Sequence, residues 1–339
     1  MVEQKIVTVL GGGSFGTVLA NMLAANGHQT RLWMRNPESA AETQTNRENS
    51  KYLPGYKLHD NLTICSDLCD SVSDCDLVLF SVPSSSVRSV AQKIASHLKP
   101  DVCILSTAKG IESGSFMLMH QVLAQELPGI KIGALSGPNL AKEIAQGFPA
   151  GSVVASVDPF LCNLVQDTLG NELFRIYSAE DIFGIELAGA LKNIYAIVTG
   201  FSSALGMGHN TNGMLITRSL AEMSRLAVRL GANPMTFIGL AGVGDLIVTS
   251  MSSLSRNYQV GYQVGLGKTL EQAVADIGQT AEGVNTLKLV KLKAQELDVY
   301  MPLVTGLHQI LFEKADVQEV TRGLMLGDKA QDVDFGLNP

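Results

Sequence analysis

The chain has 339 residues, 46% hydrophobic and 17% charged, a balance that excludes a largely disordered protein and leaves room for two sizeable cores. Its net charge is −7 and no basic stretch is interleaved with aromatics, so nucleic acid is not an expected partner, and an anionic substrate would need a locally basic pocket. The start, Met1-Val2-Glu3-Gln4-Lys5, enters an apolar strand without the h-region of a signal peptide, and the most apolar segment, 183–201, carries Glu186 and Lys192; neither secretion nor stable membrane insertion is expected.

The first half alternates two periodicities. Strands are expected at 5–10, 29–34, 62–65, 77–82, 102–106 and 132–136, with helices at 16–26, 37–49, 85–98 and 113–127 between them. This alternation predicts a Rossmann-type, doubly wound, mostly parallel sheet with helices on both faces, and the β-type runs 152–157 and 174–178 add to its edge. After about residue 180 the pattern turns helical, at 181–204, 211–231, 234–241, 256–265, 269–277, 282–297 and 302–314, separated by glycine turns. The expected organisation is therefore a nucleotide-binding domain over 1–180 and an all-α domain over 181–339, with 331–339 a loose tail. Cys65, Cys69, Cys75, Cys103 and Cys162 match no zinc spacing and read as small apolar residues of a reduced, cytoplasmic protein. No histidines fall at metal-ligand spacing.

The first strand breaks into Gly11-Gly12-Gly13-Ser14-Phe15-Gly16, and an alanine-rich helix follows. Gly11 permits the turn, Gly13 lets backbone approach a pyrophosphate, and Gly16 lets the helix pack against its strand. The helix N-terminus offers N–H groups and a partial positive charge to phosphate. Roughly 20 residues on, the second strand ends Trp33-Met34-Arg35-Asn36, with no acid to grip a ribose 2′-hydroxyl. Arg35 favours NADP, or tolerance of both nicotinamide cofactors.

Three further segments carry chemistry. A buried strand runs out into Ser106-Thr107-Ala108-Lys109-Gly110, which places a cation at the carboxyl edge of the sheet. Lys192 is the only cation in a helix apolar nearly all round; such a helix is expected to be buried, and a desolvated lysine moves toward neutral pH, where it can act as a general base. Asp245 follows Gly242-Val243-Gly244 and opens an apolar run, a position that suits a helix cap and an active-site carboxylate alike. Ser255-Arg256-Asn257 supplies a bidentate fork and neutral donors, the set a phosphate dianion wants, although Ser255 also reads as a helix cap.

Together these segments resemble the bacterial NAD(P)-dependent glycerol-3-phosphate dehydrogenases over nearly the whole chain. The motifs stand in family order: GGGSFGT at 11–17, STAKG at 106–110, SGPNLAKE at 136–143, LAGALKN at 187–193, GVGDLIVT at 242–249, SRN at 255–257 and GQTAEG at 278–283. The resemblance implies NADP or NAD as cofactor, reduction of dihydroxyacetone phosphate to sn-glycerol 3-phosphate for glycerophospholipid synthesis, and a homodimer. It also implies roles. Lys192 is the proton donor in ketone reduction and the acceptor in alcohol oxidation, Asp245 is the carboxylate beside it, and Lys109 contacts both cofactor and substrate. Gly137 and Asn139 contact substrate, as do Ser255, Arg256 and Asn257 at its phosphate, with Arg256 also reaching the cofactor. Gly11, Gly13, Ser14, Phe15, Gly16, Arg35 and Ala141 belong to the nucleotide site, and Thr280 and Glu282 to a segment that closes on it. Position 139 departs from the many members that carry Ser or Thr. Two other readings stay open on the residues: a two-domain dehydrogenase of hydroxy acids, whose carboxylate Arg256 would bind, and a non-catalytic nucleotide-binding regulator, which has no need of a buried Lys192 facing Asp245.

Overall fold

Short runs rich in valine, isoleucine and leucine build one sheet from β1 (Ile6–Leu10), β2 (Gln29–Trp33), β3 (Leu62–Cys65), β4 (Leu77–Phe80), β5 (Cys103–Ser106), β6 (Lys131–Ser136), β7 (Ala150–Ala155) and β8 (Phe174–Ala179). The computed structural model describes residues 3–278 and 281–327, and its chain divides into two compact units, Met1–Ile182 and Phe183–Pro339. The expected tail at 331–339 lies outside the described residues.

In the first unit the strand order is β3-β2-β1-β4-β5-β6-β7-β8. All neighbours pair in parallel except β6 and β7. The helices are α1 (Ser14–Ala25), α2 (Pro37–Asn46), α3 (Leu68–Val72), α4 (Ser84–Ile94), α5 (Met119–Glu126), α6 (Ala141–Ala145) and α7 (Pro159–Leu169). Strand residues alternate between two cores. Val7 and Val9 of β1 join Leu19 and Leu23 of α1 and Leu161 of α7, whereas Leu10 joins Val87 of α4 and Val122 of α5. The strand order reverses between β1 and β4, so their carboxyl ends border the crevice where open α/β sheets bind ligands.

The boundaries differ from expectation in ways with physical causes. The helix expected over 113–127 begins only at Met119, because Gly114 and Phe116 take φ of 89° and 60° and the preceding residues form a turn bridged at Ile111 and Leu118. The helix over 85–98 ends at Ile94 and tightens into a 3-10 turn, Ala95–His97. α7 was not anticipated, although Asp158 caps it by accepting from Phe160 N–H and Pro159 follows at the first helical position.

The second unit is helical: α8 (Ile182–Ala204), α9 (His209–Arg229), α10 (Asp245–Met251), α11 (Arg256–Gly265), α12 (Leu270–Ile277), α13 (Glu282–Glu296), α14 (Pro302–Glu313) and α15 (Val317–Met325), of which α10 and α15 depart from the expected helices. No strand occurs there among the described residues. In place of the helix expected over 234–241 stand a 3-10 turn, Pro234–Ile238, and a π-helical turn, Leu240–Gly244, that runs into α10. α8 is long and apolar enough to cross a membrane, but 83% of its most apolar stretch is buried inside the protein. It meets α11 backbone to backbone: a Cβ at Gly200 would strike the Tyr258 carbonyl, and one at Gly261 the Ile197 carbonyl.

Glu222 of α9 ties three helices together. It is 1% exposed and accepts from Leu303 N–H at 2.6 Å and Val304 N–H at 3.3 Å at the start of α14, and from the Tyr195 hydroxyl of α8 at 3.2 Å. Burial pushes its carboxyl up from the usual 4.5 to about 7, against the opposing pull of those two N–H groups. The folded protein therefore holds the Glu222 proton more tightly than the unfolded chain, and the associated stability is full below pH 4.5 and lost as pH rises to about 7. In urea titrations, the unfolding free energy of the native chain minus that of Glu222→Gln should fall across this window and level off above it. A difference that stays flat contradicts the assignment.

Candidate active site

In the first unit the glycine turn at the end of β1 is fixed by its surroundings. Gly11 has φ +121°, and a Cβ there would stand 2.6 Å from the Ser81 carbonyl oxygen beyond β4. A Cβ at Gly16 would collide with the Gly11 carbonyl. Gly13 is different: a Cβ added there meets nothing within 4 Å. It is the N-cap residue of α1, and no side chain caps that helix. The turn thus keeps an open face at an uncapped helix N-terminus, the arrangement that fits a pyrophosphate. Asn49 holds the turn from behind, donating to the Gly12 carbonyl and to Thr17 Oγ1, both at 2.9 Å. Ser14 donates to the Tyr52 carbonyl at 3.0 Å, Phe15 packs on the core, and Arg35 is exposed just past β2. The Ser81 hydroxyl lies 2.7 Å from that of Thr107, which donates to the Phe80 carbonyl at 3.1 Å; these bonds tie together the carboxyl ends of β4 and β5.

Lys109 leaves β5 half-buried and donates to the Gly137 carbonyl at 3.1 Å, which brings together two residues singled out from the sequence. Asn139 and Ala141 follow on the same segment, Ala141 as the first residue of α6.

In the second unit Lys192 is 6% exposed and Asp245 1%. They form a buried ion pair, and the Lys192 ammonium also donates to Thr249 Oγ1 at 2.6 Å. Thr249 donates in turn to Asp245 Oδ1 at 3.3 Å, one helical turn along α10. An ammonium taken out of water is tolerable only with such partners. The π-helical turn before Asp245 rotates the start of α10, and turns of this kind recur at functional sites. Ser255 is the N-cap of α11, accepting from Tyr258 N–H at 3.3 Å, and Arg256 is exposed on its first turn. Asn257 Oδ1 accepts from Gly283 N–H at 3.0 Å beside Glu282, the first residue of α13. A Cβ at Gly283 would stand 2.6 Å from the Asn193 carbonyl, so this glycine lets α13 approach α8 beside Lys192. Thr280 lies outside the described residues.

Sequence reasoning drew nothing from Thr249 and did not find Asn49. Thr249 had a signal, its four-residue spacing from Asp245 on one helix face; Asn49 had none, since its contacts are long-range.

Comparison with known proteins bears on the same segments. The family profile for the NAD-dependent glycerol-3-phosphate dehydrogenase N-terminus matches residues 6–162, and that for the C-terminus residues 181–322. Over 335 residues the chain is 60% identical to glycerol-3-phosphate dehydrogenase [NAD(P)+] of Teredinibacter turnerae, covering 99% of this chain and 98% of the relative. It is 59% identical to that of Saccharophagus degradans, covering 99% and 94%. The crystal structure of a glycerol-3-phosphate dehydrogenase from Coxiella burnetii superposes with TM-score 0.91 at 35% identity, over 96% of this chain and 99% of that one.

Removing one partner of the buried pair should expose its cost. Asp245→Ala leaves a buried ammonium without its carboxylate and should lower the unfolding free energy by about 3–5 kcal/mol, with Lys192→Met plus Asp245→Leu recovering much of the loss. Urea unfolding measures both; an unchanged midpoint in Asp245→Ala contradicts the pairing.

Proposed function

Because the chain belongs to the NAD-dependent glycerol-3-phosphate dehydrogenase family, we propose that it reduces dihydroxyacetone phosphate to sn-glycerol 3-phosphate, reversibly, with residues 1–180 holding NADPH or NADH and 181–339 supplying the proton-transfer and phosphate-binding groups. The product feeds glycerophospholipid synthesis in the cytoplasm, and the enzyme works as a homodimer without inserting into the membrane.

The Gly11–Gly16 turn and the N-terminus of α1 receive the cofactor pyrophosphate, and Arg35 receives a 2′-phosphate where one is present. The bound nicotinamide supplies the hydride for C2 of the ketone. As charge grows on the ketone oxygen, Lys192 Nζ gives it a proton; in alcohol oxidation the same nitrogen takes the proton back. Asp245 and Thr249 aim that nitrogen and replace the water it has lost. Lys109 stabilises the developing negative charge. The substrate phosphate sits at the start of α11, where the helix N-terminus, the Arg256 guanidinium and the Asn257 amide offer positive charge and donors. Binding energy gathered at this remote group positions the reacting carbon. Glu282, at the start of α13, contributes a cofactor contact. The observation that carries the reading is the buried Lys192–Asp245–Thr249 cluster, a sheltered cation held by two partners in an otherwise apolar helix.

An absorbance assay with dihydroxyacetone phosphate and each reduced cofactor tests it: the native chain should turn over the phosphorylated triose and not hydroxy acids. Lys192→Ala should lower kcat by about 10²-fold or more while the cofactor KM stays near native. Full turnover in that variant removes Lys192 from the mechanism. Arg256→Ala should raise the KM for the triose phosphate by the equivalent of about 1.5–3 kcal/mol, the worth of a charged hydrogen bond. An unchanged KM moves the phosphate site elsewhere.

A further inference from the structure

The segment Ser136–Asn139 leaves β6, and β7 returns antiparallel beside it, with Ser136 in register with Val153. This puts Ser152, fully buried, against the segment. Its hydroxyl donates to the Ser136 carbonyl at 2.9 Å. A hydroxyl has one proton, so toward Asn139 it can only accept. The Asn139 amide meets it with Nδ2 at 3.1 Å. With the Ser152 proton on the Ser136 carbonyl, the hydrogen-bond network assigns the amide nitrogen to the side facing Ser152 and Oδ1 to the other end. Asn139 Oδ1 is shielded from water and has no hydrogen-bond partner among the described residues. The neighbouring acceptor, the Gly137 carbonyl, is engaged by Lys109 at 3.1 Å. A buried carbonyl oxygen without a donor is unfavourable unless a bound molecule supplies one.

We propose that Ser152 is a positioning residue that locks the Asn139 carboxamide with its oxygen toward the ligand, so that this chain reads its ligand through an obligate hydrogen-bond acceptor at position 139. A Ser or Thr there would rotate and serve as donor or acceptor; an asparagine whose nitrogen is committed can only accept. The group it selects is an O–H or N–H donor. Two molecules of the reaction carry such donors: the triose, in its hydroxyl, and the cofactor, in its carboxamide, ribose hydroxyls and adenine amine. The proposal rests on the functional reading above for the identity of those molecules, and on the geometry alone for the orientation.

Steady-state kinetics of the native chain, Ser152→Ala, Asn139→Ser and the double variant test it, with thermal unfolding to confirm that each is folded. Ser152→Ala frees the amide to flip and should raise one KM by about 3- to 10-fold, the loss of roughly one neutral hydrogen bond. A rise for the triose phosphate identifies its hydroxyl as the donor; a rise for the reduced cofactor places the donor on the cofactor. In the Asn139→Ser background the same substitution should change either KM by less than about 2-fold, because no amide remains to orient. An equal change in both backgrounds, or no change in a folded Ser152→Ala, overturns the proposal. A second readout needs no turnover. In a spectrum of protein labelled with ¹⁵N at asparagine, the side-chain amide signal that disappears in Asn139→Ser should shift in Ser152→Ala, and an unmoved signal overturns the orientation. A native chain inactive on the triose phosphate would defeat the functional reading instead, and this spectrum would still decide the orientation.

Discussion

A lysine ammonium buried in a helical core must be neutralised and hydrogen-bonded, or the fold around it fails. That constraint organises the second unit. α8 is apolar along nearly its whole length, and Lys192 interrupts it at a point where α10 presents both Asp245 and Thr249. The two acceptors stand one helical turn apart, so a single helix supplies both, and the π-helical turn ahead of Asp245 sets the helix's rotation. Gly200 and Gly261 let α11 approach α8 closely, and Gly283 lets α13 do the same beside Asn193. The small residues serve the charged one: they bring α11 and the start of α13 up to the helix that carries Lys192.

The first unit obeys a different constraint, the reversal of strand order between β1 and β4. Adjacent strands whose crossover helices run to opposite faces leave their carboxyl ends uncovered. The glycine turn after β1 and Ser81 after β4 occupy that opening, and their backbones lie so close that a methyl group at Gly11 has no room. Lys109, at the end of the neighbouring β5, reaches to the segment after β6. The ends of β1, β4, β5 and β6, neighbours in the sheet, thus bring the glycine turn, Ser81, Lys109 and Asn139 to one edge of it.

Much of this was legible in the chain because it rests on local signals. The turn at Gly11–Gly16 needs only the strand before it and the helix after it, and the burial of Lys192 follows from the apolar residues on every side of it in sequence. What stayed hidden depends on partners distant in sequence. Glu222 is one of four charged residues on α9, with Arg218, Arg225 and Arg229, and its charge alone does not distinguish it from a solvated glutamate; its burial follows from Tyr195 and from the start of α14 some eighty residues later. Ser152 gains its meaning only when β7 folds back antiparallel onto β6, a pairing the parallel alternation did not foretell. Asp158-Pro159 was a readable cap for α7 and was passed over between two β-type runs. Arg35 and Arg256 lie exposed, so their roles rest on the chemistry of what they would bind rather than on any contact within the chain.

The most direct test of the central claim is a crystal structure with a nicotinamide cofactor and dihydroxyacetone phosphate bound together. The account predicts Lys192 Nζ within hydrogen-bond distance of the ketone oxygen, about 2.7–3.2 Å, while still paired with Asp245. A ketone oxygen met by some other donor, with Lys192 turned away from it, would contradict the account.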